Sequence, residues 1–275
     1  MSLNGMSLNG MSLNGTSLSG QTVVKVAAGG RSSTSTALNA SGMNGATLTN
    51  PAVYVGSSWT GTSSGGLSVP LRIDTATRGA GATSDVGMYG VSYQSSSGWQ
   101  PLCGVDGAGV KILAVAVLGT WNYGEDVVGG GAYTSSTTFQ TFACRGKSIA
   151  KCVEMGYKPW SGRSTHLAAC VRMLRGDYCG TGKGHTLDGT MVNLYDNVGI
   201  QADTAAWVKE AEWSENGARC VNTNGQPRFL LTATRAPRCL QGTTPTVPVT
   251  STCGNTFGTG TLIINELQTD TNTWQ

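Results

Sequence analysis

Residues 166–190 read HLAACVRMLRGDYCGTGKGHTLDGT. Two textures meet in this stretch. Up to Arg175, the apolar residues Leu167, Cys170, Val171 and Leu174 recur at the three- and four-residue spacing of one helical face. Ser164 offers an N-cap and Gly176 a stop, so the spacing predicts a helix over 164–175. From Gly176 to Thr190 glycine recurs at 176, 180, 182, 184 and 189, which predicts a polar, turn-rich loop. A strand is expected next, over 191–195. The stretch therefore describes a short helix feeding a glycine-rich loop, with one cysteine on each.

Toward the N-terminus the pattern turns to strands. Leu67, Val69, Leu71 and Ile73 alternate with polar partners, and Pro70 hints at an edge. Val86 to Tyr93 reads as a second strand, with its return partner from Gly98 to Cys103. Ile112 to Leu118 is nearly continuous apolar sequence, as in a strand buried on both faces. Thr137 to Cys144 reads as another strand, and Lys147 to Met155 as a short helix ending at Gly156. Short strands punctuated by turns predict an antiparallel sandwich or barrel.

Composition agrees. Charged residues make up 12% of the 275, and 40 are glycine. The formal net charge of +3 is too small to indicate a nucleic-acid binder. No apolar run approaches the roughly 18 residues of a membrane span.

Residues 1–20 read MSLNG, MSLNG, MSLNG, TSLSG. The apolar phase Leu3, Leu8, Leu13, Leu18 continues at Val23, weakens at Ala28 and Ser33, and recovers at Leu38, Met43, Leu48 and Val53. Five is the period of neither a strand nor a helix. It resembles that of pentapeptide-repeat proteins, which implies a right-handed quadrilateral β-helix with one leucine per pentad inside. The expected fold class is β-rich α+β: a short pentapeptide-type β-solenoid (1–55) packed on a disulfide-rich antiparallel β domain with two short helices (66–240). A Pro/Thr/Gly-rich connector with a candidate closing strand at Leu262–Leu267 completes the chain (241–275).

Eight cysteines, Cys103, Cys144, Cys152, Cys170, Cys179, Cys220, Cys239 and Cys253, contain no CxxC pair. Disulfides and an oxidising compartment are expected. The simplest connectivity joins neighbours: Cys144–Cys152, Cys170–Cys179 and Cys220–Cys239, leaving Cys103–Cys253. Export needs a signal sequence, and none is visible after Met1. Because Met1 opens a unit that recurs at Met6 and Met11, the chain is expected to begin at an internal methionine or an engineered boundary, with the signal upstream.

The stretch 166–190, together with NLYDNVGIQ (193–201), EAEW (210–213) and GARCV (217–221), resembles the ADYC-domain proteins of bacteria. The family is named for Ala-Asp-Tyr-Cys; Gly176 here takes the alanine's place before Asp177-Tyr178-Cys179. The resemblance runs from about Leu67 to Cys239. Family members often carry LNG-type pentads as well. It implies an envelope or secreted location and brings no catalytic residues with it.

The residues themselves suggest several chemistries. His166, Cys170, Cys179 and His185 are types that bind zinc tetrahedrally, but their spacing matches no familiar module, and a Cys170–Cys179 disulfide with two histidines nearby explains them equally. Cys179 with His185 as base and Asp177 or Asp188 as orienter would suit a cysteine hydrolase. A helix C-terminus is electrostatically the wrong neighbour for a thiolate. Asp188, Asp196, Asp203, Glu210, Glu212 and Glu215 could serve acid/base or calcium chemistry, although Asp188-Gly189-Thr190 lacks the full calcium-loop pattern. Their simpler reading is pairing with the basic stretch 145–183, or solvation. Gly180–Gly184 fails as a phosphate loop, since Lys183 precedes glycine and a helix comes before it. Trp207 and Trp213, six apart, would share a strand face, for packing or for stacking on a sugar. No cofactor and no nucleic acid are expected, and an envelope protein or glycan is the candidate partner. The expected function is a non-enzymatic structural or binding module; the alternative is a hydrolase with a Cys179/His185/Asp188 site.

Overall fold

The computed structural model describes residues 22–225, 227–230, 236–241, 253–254 and 256–268. They form two compact units. One runs to Trp121 and resumes at Tyr133–Gly162; the other comprises Asn122–Ala132 and the residues from Arg163 onward. No helix among the described residues is long and apolar enough to cross a membrane.

The first unit is a closed antiparallel barrel. Its strands are β1 (Val23–Ala27), β2 (Ser58–Ser63), β3 (Ser68–Arg78), β4 (Gly87–Ser95), β5 (Ala114–Leu118) and β6 (Phe139–Cys144). They are ordered β1-β6-β5-β4-β3-β2, and β2 returns to β1. Val26 closes the ring, facing Gln140 of β6 on one side and Gly61 of β2 on the other. Closure removes the exposed sheet edges that invite association. Alternation fills the interior: Val69, Leu71 and Ile73 from β3 meet Tyr89 and Val91 from β4, Ala116 from β5 and Phe142 from β6. Trp59 packs edge-on to Phe142, with ring centroids 6.5 Å apart. On the other face of β5, Val115 and Val117 are also buried, as a doubly covered strand requires. Pro70 lies where β3 pairs with β2 alone, because pairing with β4 begins at Leu71. Its missing N–H therefore interrupts no β4 bond. Cys103 and Cys144 bridge within this unit, which also holds α1 (Ser148–Glu154).

The expected N-terminal solenoid is overturned. Its first four pentads lie outside the described residues. Residues 22–55 instead supply strand β1, a small hairpin (Gly29–Arg31 with Ala37–Asn39) and three short 3-10 turns. The apolar phase does mark burial: Val23, Ala28, Met43 and Leu48 are buried, while Val53 is 55% exposed. Val23, Ala28 and Met43 pack into the same core as the barrel strands. Asn44 anchors this segment: its Oδ1 accepts from the Gly87 amide at 2.8 Å, and its Nδ2 donates to the Ala116 carbonyl. Residues 22–55 fall in the same unit as the barrel strands, and the chain passes between the units at Trp121/Asn122, Ala132/Tyr133 and Gly162/Arg163.

The second unit stacks α2 (Ser164–Arg175) on β8 (Val208–Ser214), β9 (Gly217–Val221) and β10 (Ile263–Leu267). With β7 (Val192–Asp196) these strands form an antiparallel sheet ordered β7-β10-β8-β9. The candidate closing strand is therefore β10, interior to its sheet, with both faces of its five residues buried. Ser164 is the first helical residue rather than the cap.

Removing the Asn44 side chain leaves the Gly87 amide unpaired in the barrel wall. Asn44→Ala is expected to lower unfolding free energy by about 1–3 kcal/mol, read by urea denaturation, with no change in oligomeric state.

Candidate functional site

The segment after α2 carries the densest set of chemically capable groups, and it is held from several directions at once. Gly176 ends the helix in the left-handed region (φ 64°), and its amide bonds back to the Met173 carbonyl at 3.0 Å. The chain then turns inward. Asp177 is 1% exposed. Its Oδ1 accepts from the Thr181 amide at 3.0 Å, and its Oδ2 accepts from the Gly182 amide at 2.9 Å and pairs with Arg172 Nη1. The same guanidinium donates to the Gly130 carbonyl, and through Nε to the Glu215 carbonyl at 3.2 Å. One helix turn, one loop and one β-turn are therefore tied through a single buried ion pair.

Tyr178 goes deepest. Its ring lies 5.2 Å from Trp213 and 5.4 Å, edge-on, from Phe229. Its hydroxyl donates to Glu210 Oε1 at 2.6 Å. Burial first, then the adjacent carboxylate, pushes the Tyr178 hydroxyl well above its ordinary range, so it stays protonated and donates. Glu210 is itself fully buried. It also accepts from the Arg228 amide at 2.7 Å and from Asn265 Nδ2 at 2.6 Å, and Arg228 Nε stands 3.0 Å from its second oxygen. Burial alone would lower the Arg228 guanidinium; Glu210 outweighs it and raises it, keeping the charge in place.

Cys179 is bonded to Cys239. Gly180 follows with φ 64°, and a Cβ there would stand 1.9 Å from the Asn216 carbonyl oxygen. Only glycine allows the loop to lie this close to the β8–β9 turn, where the Ala218 amide donates to the Tyr178 carbonyl at 2.9 Å.

All eight cysteines are in disulfides. The neighbour pairing is replaced by Cys103–Cys144, Cys179–Cys239 and Cys220–Cys253, with Cys152 and Cys170 also bonded. Sequence proximity does not set these partners: β6 brings Cys144 to Cys103 and β9 brings Cys220 to Cys253, 41 and 33 residues away. The zinc set loses both thiolates, and His166 Nε2 instead meets Asn197 Oδ1 at 2.8 Å. The hydrolase triad is not assembled. The Cys179 sulfur is already bonded, Asp188 is exposed, and the buried Nδ1 of His185 has no hydrogen-bond partner. Burial holds the His185 imidazole below its ordinary range.

The carboxylates are mostly consumed internally. Asp196 accepts from the amides of Val198, Ile200 and Gln201, closing a turn. Asp203 accepts from Asn193 Nδ2 at 2.8 Å. Glu212 accepts from the Thr261 hydroxyl at 2.7 Å and lies 3.6 Å from Lys209 Nζ. Among the described residues, Glu212, Cys220 and Cys253 bring ligand-type atoms together, but the two sulfurs are joined to each other and offer no thiolate. Trp213 is fully buried, with Nε1 donating to Asn265 Oδ1 at 2.8 Å, whereas Trp207 precedes the strand and is half-buried. The strand begins at Val208, after Trp207, and its register shifts between Lys209 and Ala211 and again between Glu212 and Trp213, so the simple alternation that placed the two on one face does not apply.

Arg228 was not singled out by sequence, Glu210 entered only as one of six candidate carboxylates, and Arg172 only as part of the basic stretch 145–183. The local signal was thin: a charged residue on a helix and a strand normally faces water, and the 18-residue gap between Glu210 and Arg228 hides their pairing.

Asp177→Asn keeps the shape of the side chain and strips the charge opposite a guanidinium that is 3% exposed. A loss of about 3–5 kcal/mol of stability is expected, measured by urea unfolding, against under 1 kcal/mol for the exposed Asp188→Asn.

A family model, the ADYC domain, matches residues 52–227. No curated protein and no solved structure matches the chain.

Proposed function

The chain belongs to the ADYC domain family, and from that premise we propose that it is an extracytoplasmic, non-catalytic binding or structural module whose signature segment is a staple rather than a reactive centre. One observation carries the reading. The Asp177 carboxylate, the Tyr178 hydroxyl and the Cys179 sulfur each have their bonding capacity taken up inside the protein, by Arg172 and two amides, by Glu210, and by Cys239. A nucleophile or general acid needs the opposite, a group left available to substrate. Four disulfides in one chain suit an oxidising compartment, which supports a periplasmic, secreted or outer-surface location. Recognition falls to the surface, where Val128 (79% exposed) and Leu187 (50% exposed) stand on loops of the unit that holds the signature. An envelope protein or a glycan is the partner class.

The experiment is mass spectrometry after alkylation of the native, non-reduced protein, paired with a Cys179→Ser/Cys239→Ser variant. No alkylated cysteine is expected. The variant is expected to lose about 4 kcal/mol, since its bridge spans 60 residues. Labelling at Cys179 together with a hydrolase activity abolished by that label would establish the cysteine-hydrolase alternative instead.

A further inference from the structure

The outer face of the barrel carries a large aromatic in the open. Trp99 is 38% exposed, whereas Trp59 and Trp121 of the same unit are buried. It lies on the short strand Gly98–Pro101, which pairs with β4 so that Trp99 stands opposite Gln94. Leu71 and Ile73 of β3 belong to the core, so Arg72 between them points outward. The Arg72 guanidinium lies over the Trp99 ring, 4.5 Å from its centroid. Its Nε donates to Asp74 Oδ1 at 2.7 Å. Lys111 Nζ donates to Asp74 Oδ2 at 2.5 Å and to the Ser92 hydroxyl at 3.0 Å. Burial would push the Asp74 carboxyl above its ordinary range, but the bonds from Lys111, Ser92 and Arg72 outweigh it and hold it below. The carboxylate therefore stays charged at neutral pH and fixes both cations.

What this cluster leaves unused defines an occupant. Arg72 commits Nε to Asp74, and among the described residues neither of its Nη groups has a partner. A guanidinium both tethered and stacked presents its free edge ready for a two-point bond to a planar acid group. The Arg72 and Lys111 side chains are 40% and 38% exposed, and Asp74 offsets one of their two charges. The neighbouring carboxylates are engaged elsewhere: Asp85 pairs with Lys158, and Asp106 accepts from the amides of Ala108 and Val110 in its own turn. Charge therefore favours an anion. Gln94, exposed opposite the indole, donates to the Ser95 carbonyl at 3.1 Å and keeps its own oxygen to accept from a hydroxyl. Scale separates a glycan from a protein. The open indole offers on the order of 100 Å² of apolar surface, about that of one sugar ring. A protein interface of about 800 Å² per partner gathers several apolar anchors at its centre. Here the indole stands among Ser58, Gln94 and two cations, with Ser58 beside Arg72 in the ladder.

We propose that Arg72, Gln94, Trp99 and Lys111 form a surface site for an acidic glycan, a uronate being the recognised unit. The uronate carboxylate bonds to Arg72 and Lys111, its ring lies on the part of the indole that Arg72 leaves open, and a ring hydroxyl donates to Gln94. The proposal rests on the binding-module reading and gives that module its ligand class.

The test uses the intact, oxidised protein. The indole N–H resonance absent from Trp99→Ala is followed by NMR as oligogalacturonate or oligoglucuronate is added to about 10 mM. A saturable shift is expected with at least one of them. Arg72→Lys keeps the charge but loses the fork, and should weaken binding about tenfold. Trp99→Ala, read by calorimetry, and the carboxyl-reduced neutral oligomers should each show a similar loss. Both side chains face water, so both variants should keep the wild-type Tm. No saturable shift with either uronate overturns the proposal, as does equal affinity for the neutral oligomers or undiminished binding in either variant. A polyglutamate peptide bound more tightly than the uronates through the same two residues overturns it in favour of a protein partner, and leaves the binding-module reading standing. Labelling of Cys179 tests that reading separately, in the other unit.

Discussion

The second unit depends on the buried pair Arg172–Asp177. Two charges removed from water are costly unless every remaining donor and acceptor is met. Here they are met by backbone: two amides of the loop on the carboxylate, and the carbonyls of Gly130 and Glu215 on the guanidinium. The pair therefore does more than join two side chains. It fixes where the chain goes after the helix, so that the next residue, Tyr178, enters the space beside Trp213 and Phe229, and the one after it reaches Cys239.

A second buried charge cluster repeats this logic. Glu210 gathers Tyr178, Arg228 and Asn265, and Arg228 Nη2 donates to the Met173 carbonyl at 2.7 Å. The polar centre thus ties α2, the signature loop and strands β8 and β10 into one network. Such a centre is poorly suited to turnover, because each group is already committed in the resting state. It suits the non-catalytic module proposed above, whose middle is fixed by bonds made within the protein.

Much of the fold was legible where a single periodicity governed a segment. The alternation Val69-Leu71-Ile73 located β3, the apolar run before Leu118 located β5, and Ser164–Arg175 is helical over the whole expected span. Legibility failed where a pattern had two physical sources. The five-residue phase matched burial at Val23, Ala28, Met43 and Leu48 but not at exposed Ser33 or half-buried Leu38, and strand, bend and 3-10 turns can return an apolar residue to the interior at that interval as well as a solenoid can. Trp207 falls just before its expected strand, and the strand carries two register shifts that no residue in it announces. Cysteine pairing was hidden for a different reason: partners 33 to 60 residues apart are chosen by strand order, which local sequence does not encode. The buried ion pairs were hidden because charge ordinarily marks surface.

The central claim is that Asp177-Tyr178-Cys179 belongs to the cooperative core of its unit. Native-state hydrogen exchange measures this directly at the amides of Thr181 and Gly182, whose acceptor is the Asp177 carboxylate, and at Ala218, whose acceptor is the Tyr178 carbonyl. Exchange of all three only through global unfolding, with the protection of the β8 and β10 amides, is the predicted result. Exchange by local opening at rates typical of a surface loop would contradict the account and return the segment to consideration as a mobile, reactive site.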